Sequence, residues 1–384
     1  MKSRGRGKGG GLPLPRTVGP PIQRGTTVLM DSAKALYESK GKPTYGLGGL
    51  ATHAALAEAL AELEHARAVR LYSSGLAALT GAMSAVLEAG DEVLITDAVY
   101  RPTRRFADHV LKRQGVSARY YAPRASAEEI LAEAGRSCRL IVLESPGSLT
   151  FELQDVAAIA AAARARGILT LMDNTWAAGL LFRPLDHGVD ISVQALTKYI
   201  GGHSDVFLGS AATREPKLDR LLAETIRDFG WGVAAEDAYL GLRGLRTLET
   251  RLARHGESAL TVARWLAGRP EVREVLFPPL PGAADHDLWR RDFTGAAGLM
   301  GVVLRPRPQA AVFAFLDALE VFGLGFSWGG FESLAIWADP QFDCRLHPPG
   351  FAGPVIRLAI GLEPVDTLLA DLDRGFGALN EGSR

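Results

Sequence analysis

The sequence predicts an α/β protein: a large, mostly parallel sheet covered by helices on both faces, followed by a smaller α+β unit. Three observations lead there. Short runs of near-continuous Val, Ile and Leu alternate with amphipathic stretches, the pattern left by strands buried on both faces and the helices that bury them. The chain is 384 residues long, 47% hydrophobic and 22% charged, which supplies a large core and lies far from the composition of a disordered chain. A change of texture at Pro270, Pro278, Pro279 and Pro281 then separates a long helical stretch from a second set of short apolar runs.

The elements follow in order. From about Thr52 a helix begins, with Leu56, Leu60 and Leu63 on one face. Everything before it reads as an arm, and Met1 to Gly11, basic and glycine-rich with no apolar stretch behind them, read as a disordered tail and not as a signal peptide or anchor. Val69 to Tyr72, Val93 to Thr96, Leu140 to Leu143, Ile168 to Met172 and Ile191 to Val193 read as strands. Leu76 to Leu87, Pro102 to Lys112 and Asp155 to Arg166 read as the intervening helices, the last stopped by Gly167 where a helix prefers a glycine cap. One helical stretch runs from about Ala234 to Leu266. Beyond the prolines, Leu299 to Leu304, Val321 to Ser327 and Val355 to Ile360 read as strands, with helices at Ala310 to Leu319 and Pro364 to Leu379. The expected division is an N-terminal arm over residues 1–50, a large domain over 51–245 and a small C-terminal domain over 246–384.

Several function classes are disfavoured at once. Lys plus Arg total 43 and Asp plus Glu total 43, so there is no net charge to attract nucleic acid or anionic lipid. Cys138 and Cys344 are far apart and form no CxxC pattern, which argues against a disulfide framework and a thiolate zinc site and suits the cytoplasm. No apolar run approaches the ~20 residues of a membrane span. Gly7 to Gly11 lacks the spacing and hydroxyl residue of a P-loop, and Gly46-Leu47-Gly48-Gly49 lacks the third glycine of a dinucleotide fingerprint. His203-Ser204-Asp205 offers too few ligands for zinc, so no metal is expected.

The informative stretch runs from Ile168 to Ser210. One apolar strand ends in Asp173-Asn174-Thr175-Trp176, and the next ends in Thr197-Lys198-Tyr199. Both deliver a charged residue to the carboxyl edge of the sheet, where ligands of such sheets sit. Alone, the lysine reads as a solvated loop residue and the aspartate as a cap or turn former. Together they are the two groups by which a protein tunes pyridoxal phosphate: a lysine that forms a Schiff base and an acid on the pyridinium nitrogen. The phosphate needs a socket, and Ser73-Ser74-Gly75, at the opening of the Leu76 helix, offers free N–H groups at a helix N-terminus.

Gln194-Ala195-Leu196-Thr197-Lys198-Tyr199, with Gly202-His203-Ser204-Asp205 and Asp173-Asn174-Thr175, resembles the signature of the Cys/Met-metabolism pyridoxal-phosphate enzymes of fold type I, over a span from about Thr26 to Leu379. The resemblance implies a seven-stranded large domain. It implies that Lys198 holds the cofactor and moves protons, that Asp173 meets the ring nitrogen, and that Gly75, Leu76 and Thr197 take the phosphate. Tyr100 would stack on the ring and move a proton; Arg357 would grip the substrate α-carboxylate, with Ser327 and Trp328 beside it. Family members carry Tyr-x-Arg in the N-terminal segment, whose side chains reach a neighbouring subunit's phosphate. Here Tyr45 remains, but Leu47 replaces the arginine, and Gly48 stands where some β-lyases carry a second one.

Glu144-Ser145-Pro146-Gly147-Ser148 and Ser327-Trp328-Gly329-Gly330-Phe331-Glu332-Ser333 read like segments of the family's carbon–sulfur β-lyases. The γ-acting relatives usually carry Asn after Ser-Pro-Thr and Leu in place of Trp328. The resemblance thus implies a cytoplasmic homotetramer, a pair of dimers, that cleaves L-cystathionine. A cysteine-S-conjugate β-lyase, a cysteine desulfhydrase, a γ-synthase or γ-lyase, and a non-catalytic regulator that binds the cofactor remain as alternatives.

Overall fold

The computed structural model describes residues 17–38 and 43–381, so the basic leader Met1 to Gly11 lies outside it. Seven strands form the large sheet: β1 (Ala68–Tyr72), β2 (Glu92–Thr96), β3 (Ser117–Tyr121), β4 (Cys138–Glu144), β5 (Leu169–Asp173), β6 (Ile191–Gln194) and β7 (Gly209–Thr213), in the order β1-β7-β6-β5-β4-β2-β3. From β6 to β3 every pairing is parallel, whereas β7 runs antiparallel to both β6 and β1. The alternation along β4 shows why the strands are apolar throughout: Leu140 and Val142 enter one core, Ile141 and Leu143 the other, and all four are fully buried.

The helices that cover the sheet begin and end where local chemistry dictates. The Ala51–Leu63 helix buries Leu56 and Leu60. Asp155 caps the Val156–Ala165 helix by accepting from Ala158 N–H, and Gly167 follows at a φ of 69°, a left-handed conformation that glycine adopts freely. The expected helix from Pro102 to Lys112 is present but changes character: an α segment, Arg101–Phe106, continues into a π-helical turn, Ala107–Leu111.

The second sheet contains β8 (Val272–Leu276), β9 (Leu299–Leu304), β10 (Gly323–Leu324), β11 (Leu334–Trp337) and β12 (Val355–Ala359), in the order β10-β11-β12-β9-β8. The helices Gln309–Asp317 and Val365–Glu381 pack on it, burying Phe315 and Phe376 against one another at 5.1 Å between ring centroids.

Two expectations need correction. The stretch from Ala234 to Leu266 is two helices, Ala235–Leu245 and Leu248–Ala267; the chain breaks where Gly244 passes against the backbone of Ile200 and Gly201, and the Arg251 guanidinium takes the freed Gly244 carbonyl at 2.7 Å. Val321 to Ser327 pairs as a strand only at Gly323–Leu324, because Arg357 claims the Gly325 carbonyl and Ser327 turns to a φ of 87°. The segment before Thr52 carries local structure of its own: Ala33–Glu38 is helical, Thr27 bridges to Tyr45, and Thr52 ties the segment down through Gln23 N–H and the Pro21 carbonyl.

Candidate active site

At the carboxyl edge of the large sheet lies a cavity of about 860 Å³. Gly75, Leu76, Tyr100, Asp173, Thr197 and Lys198 line it from the large-sheet side, and Ser327, Trp328 and Arg357 from the other. Sequence reasoning therefore picked out residues that the fold brings to one place. Tyr45 stands apart: it is 57% exposed, precedes the 3₁₀ turn Gly46–Gly48, and does not line the cavity.

Each position follows from its element. Asp173 is the last residue of β5, buried, and accepts from Thr175 twice on Oδ1, at 3.0 Å from the backbone N–H and 2.5 Å from the hydroxyl. Its Oδ2 takes no hydrogen bond among the described residues and is left to the cavity. Burial pushes this carboxyl up, while the Thr175 bonds and the Lys198 charge pull it down. The Thr175 hydroxyl in turn accepts from Ala195 N–H at 2.9 Å, locking the exit of β5 to the exit of β6.

Lys198 lies just past the end of β6. Its Nζ donates to Ser327 Oγ at 2.6 Å and sits 5.3 Å from the Trp328 ring centroid. Burial and, after it, the nearby Arg357 charge hold the amine down at about 8, against the pull of Asp173. Thr197 accepts from Leu208 N–H at 2.9 Å, which leaves its hydroxyl proton free to turn from the Leu208 carbonyl, 3.2 Å away, towards an anion.

The socket at the Gly75–Val86 helix is packed so tightly that a Cβ on Gly75 would come within 2.3 Å of the Ala195 Cβ. Ser74 caps the helix by accepting from Ala77 N–H at 3.0 Å, leaving the N–H groups of Gly75 and Leu76 without intrahelical acceptors. Arg357, on β12, is 4% exposed; one guanidinium nitrogen donates to the Gly325 carbonyl at 3.1 Å, and Nε is buried with no partner. Burial lowers its pKa to about 10.

Two features escaped the sequence reading. Glu144 ends β4 directly beside Asp173 in register, and its Oε2 accepts from Tyr100 N–H at 2.7 Å, fixing the turn that presents Tyr100. Burial, followed by the Asp173 charge, pushes Glu144 well above the usual carboxylate range. The same strand-end logic that singled out Asp173 could have found it. The second is the row of cavity-lining arginines after Tyr100, which only the helical spacing 101, 105 would have flagged.

A family model described as Cys/Met metabolism PLP-dependent enzyme matches residues 13–377. The chain belongs to this family. A relative in Rhizobium johnstonii, provisionally named cystathionine beta-lyase, is 48% identical over 94% of this chain and 91% of its own. The cystathionine beta-lyase of Escherichia coli is 41% identical, covering 93% of each chain. Among solved structures, cystathionine gamma synthase from Xanthomonas oryzae pv. oryzae in complex with cystathionine superposes with a TM-score of 0.87 at 32% identity, over 95% of this chain and 94% of that one. The architecture is therefore that of the fold type I pyridoxal-phosphate enzymes.

The residues present fit the family's cofactor. A free carboxylate oxygen on Asp173, an amine depressed by burial on Lys198, and unclaimed N–H groups on Gly75 and Leu76 face one cavity, and the unpartnered Arg357 Nε lies buried in its wall. They supply, respectively, a partner for a pyridinium, a nucleophile for an aldehyde, a seat for a phosphate, and an unsatisfied cation for a substrate carboxylate.

Proposed function

We propose that the chain is a carbon–sulfur β-lyase that converts L-cystathionine and water to L-homocysteine, pyruvate and ammonia. The observation that carries this reading is the convergence of Lys198, Asp173 and Arg357 on one cavity, and the curated relatives named for this activity support it. When bound, pyridoxal phosphate would accept the electron pair left at the substrate Cα as its proton leaves. The remaining work belongs to the chain. Gly75, Leu76 and Thr197 would hold the phosphate, Tyr100 would cover the ring, and Asp173 Oδ2 would keep the ring nitrogen protonated. Lys198 Nζ would hold the cofactor at its aldehyde carbon until substrate displaces it.

Arg357 orients the α-carboxylate through a planar, charge-assisted contact, and its buried position makes that contact strong. Lys198 Nζ, whose pKa of about 8 leaves far more of it neutral at a given pH than an ordinary lysine, takes the Cα proton and returns a proton to the departing sulfur. Ser327 Oγ, 2.6 Å from that nitrogen, steadies it between the two tasks, and Trp328 walls the same space.

We also propose a cytoplasmic homotetramer built from dimers, with residues 1–50 as the arm and the division between large and small domains near residue 245. Tyr45, exposed and clear of its own cavity, suits a side chain that reaches a neighbour's phosphate. Phe207 and Phe326, 75% and 77% exposed at the rim of the cavity, suit burial against a second subunit. Among the described residues no helix is long and apolar enough to cross a membrane.

The test is product analysis on the cofactor-loaded protein with L-cystathionine, L-cystine and L-cysteine in parallel. Pyruvate and homocysteine from cystathionine, faster than pyruvate from the others, are expected. Preference for cystine or cysteine would move the reading to a conjugate lyase or desulfhydrase, and α-ketobutyrate would move it to γ chemistry.

A further inference from the structure

The helix Leu248–Ala267 does not line the cavity, yet it holds both of the segments that supply Lys198 and Arg357. Arg251, 7% exposed, pairs with no carboxylate among the described residues. Its guanidinium donates instead to the Tyr199 carbonyl at 2.7 Å, the Gly244 carbonyl at 2.7 Å and the Ile200 carbonyl at 3.4 Å, and its Nε donates to the Thr247 hydroxyl at 3.1 Å. A charge buried without a counter-ion is costly, and two of its acceptors belong to the two residues that follow Lys198. One helical turn on, His255 is fully buried; its Nδ1 donates at 2.7 Å to the carbonyl of Ile360, just beyond the end of β12, the strand that carries Arg357. The same imidazole packs against the Tyr199 ring at 5.3 Å between centroids. Gly298 completes the circuit: its N–H donates to the Tyr199 hydroxyl at 2.8 Å, its carbonyl accepts from Ile360 N–H at 2.7 Å, and a Cβ there would come within 2.6 Å of the Ile360 carbonyl oxygen.

We propose that this helix sets the separation of Lys198 and Arg357, with Arg251 and His255 as positioning residues, one for each group. Arg251 fixes the turn that carries Lys198, and His255 fixes the end of the strand that carries Arg357; the helical turn between them keeps the two in a constant relation. Both groups work on one small substrate, Arg357 at the α-carboxylate and Lys198 at the hydrogen of the adjoining Cα. A misplacement of about 1 Å between such groups can cost roughly 100-fold in rate, even when its origin lies away from the chemistry. The inference rests on the roles proposed above for Lys198 and Arg357, and not on which thioether is cleaved.

The experiment follows exchange of the Cα hydrogen of L-alanine for deuterium in heavy water by proton NMR, on cofactor-loaded proteins matched by absorbance. L-Alanine has the carboxylate and the Cα hydrogen but no leaving group, so the readout does not depend on carbon–sulfur cleavage. Arg251→Lys keeps the charge but loses the fork that spans the carbonyls; the exchange rate at saturation should fall about tenfold or more, with the half-saturating concentration changed less than about twofold. His255→Leu removes the donor to Ile360; the half-saturating concentration should rise about tenfold, with the saturated rate changed less than about threefold. His255→Gln, whose amide is again a donor, should recover part of that loss. Both parameters worsening together in both variants, as a general loosening of the fold would give, overturn the proposal, and so does no change in either. If Arg357→Ala saturates as wild type does, the carboxylate role of Arg357 fails separately, and the rate in Arg251→Lys decides. If wild type exchanges no hydrogen, the role of Lys198 as base fails separately. Calorimetric affinities for L-alanine then decide: weaker binding in His255→Leu that recovers in His255→Gln sustains the proposal, and equal affinities overturn it.

Discussion

The two sides of the cavity are built differently. On the large-sheet side, Asp173, Thr175, Thr197 and Lys198 come from the ends of β5 and β6, adjacent parallel strands in register, and the two threonine hydroxyls each take a backbone N–H from a neighbouring segment, Ala195 for one and Leu208 for the other. On the opposite side, Ser327 sits at a φ of 87°, Phe326 is largely exposed, and Arg357 keeps one internal hydrogen bond. On the proposed reading, the sheet edge fixes the groups that would meet the cofactor, and the loop and helix walls would discriminate among substrates. Damage to the first side should therefore abolish chemistry, and damage to the second should change what is bound.

The largest effect is expected from Lys198→Ala. If Lys198 transfers the Cα proton as proposed, its removal should cut pyruvate release from L-cystathionine by at least ~10³-fold, within the range that a positioned acid–base group contributes. A keto-acid assay on matched protein samples checks it, with circular dichroism to show an intact fold. Near-normal turnover would remove Lys198 from the chemistry and collapse the contrast between the two sides.

Arg357→Ala probes the other side. If Arg357 holds the α-carboxylate as proposed, losing this charged hydrogen-bonding partner costs about 1.5–3 kcal/mol, which corresponds to roughly a 10- to 100-fold fall in kcat/KM. The fall should appear mainly in KM, with the cofactor retained after dialysis. Cofactor loss in this variant would show that Arg357 supports the floor of the site, and the division between sides would have to be redrawn.

How much of this was legible in the sequence follows the same division. β4, β5 and β6 were plain because strands buried on both faces are apolar at every position, and Asp173 and Lys198 were conspicuous as the charges that end them. β7 was not plain: Gly209-Ser210-Ala211-Ala212-Thr213 carries small residues because it packs between two strands and against the Gly75 turn, so nothing in its hydropathy marks a strand. β3, with Ser117 and Arg119 exposed at the sheet edge, was hidden for the opposite reason. In the site, Glu144 was quoted for its motif but not for its position, since only the register between β4 and β5 sets it beside Asp173. The break between the Ala235–Leu245 and Leu248–Ala267 helices depends on Gly244 meeting the turn after Lys198, a contact between segments that local periodicity cannot see.

The smallest effect is also the one that joins the two sides. An amine attacks an aldehyde only when neutral, so the rate at which cofactor-free protein captures added pyridoxal phosphate should rise about tenfold per pH unit and level off near pH 8, where Lys198 loses its proton, instead of continuing towards the usual lysine range. Burial is the main cause of that depression and the Arg357 charge the second. A cation nearby disfavours the protonated amine; removing it in Arg357→Ala should therefore raise the Lys198 pKa and move the break to higher pH, slowing capture at neutral pH. Asp173→Asn should do the reverse, since the aspartate favours the protonated form. Stopped-flow absorbance across pH 6 to 10 reads all three proteins. A break that stays in place in Arg357→Ala would mean that burial alone sets the amine, and that the substrate-binding wall acts on substrate without tuning the base beneath it.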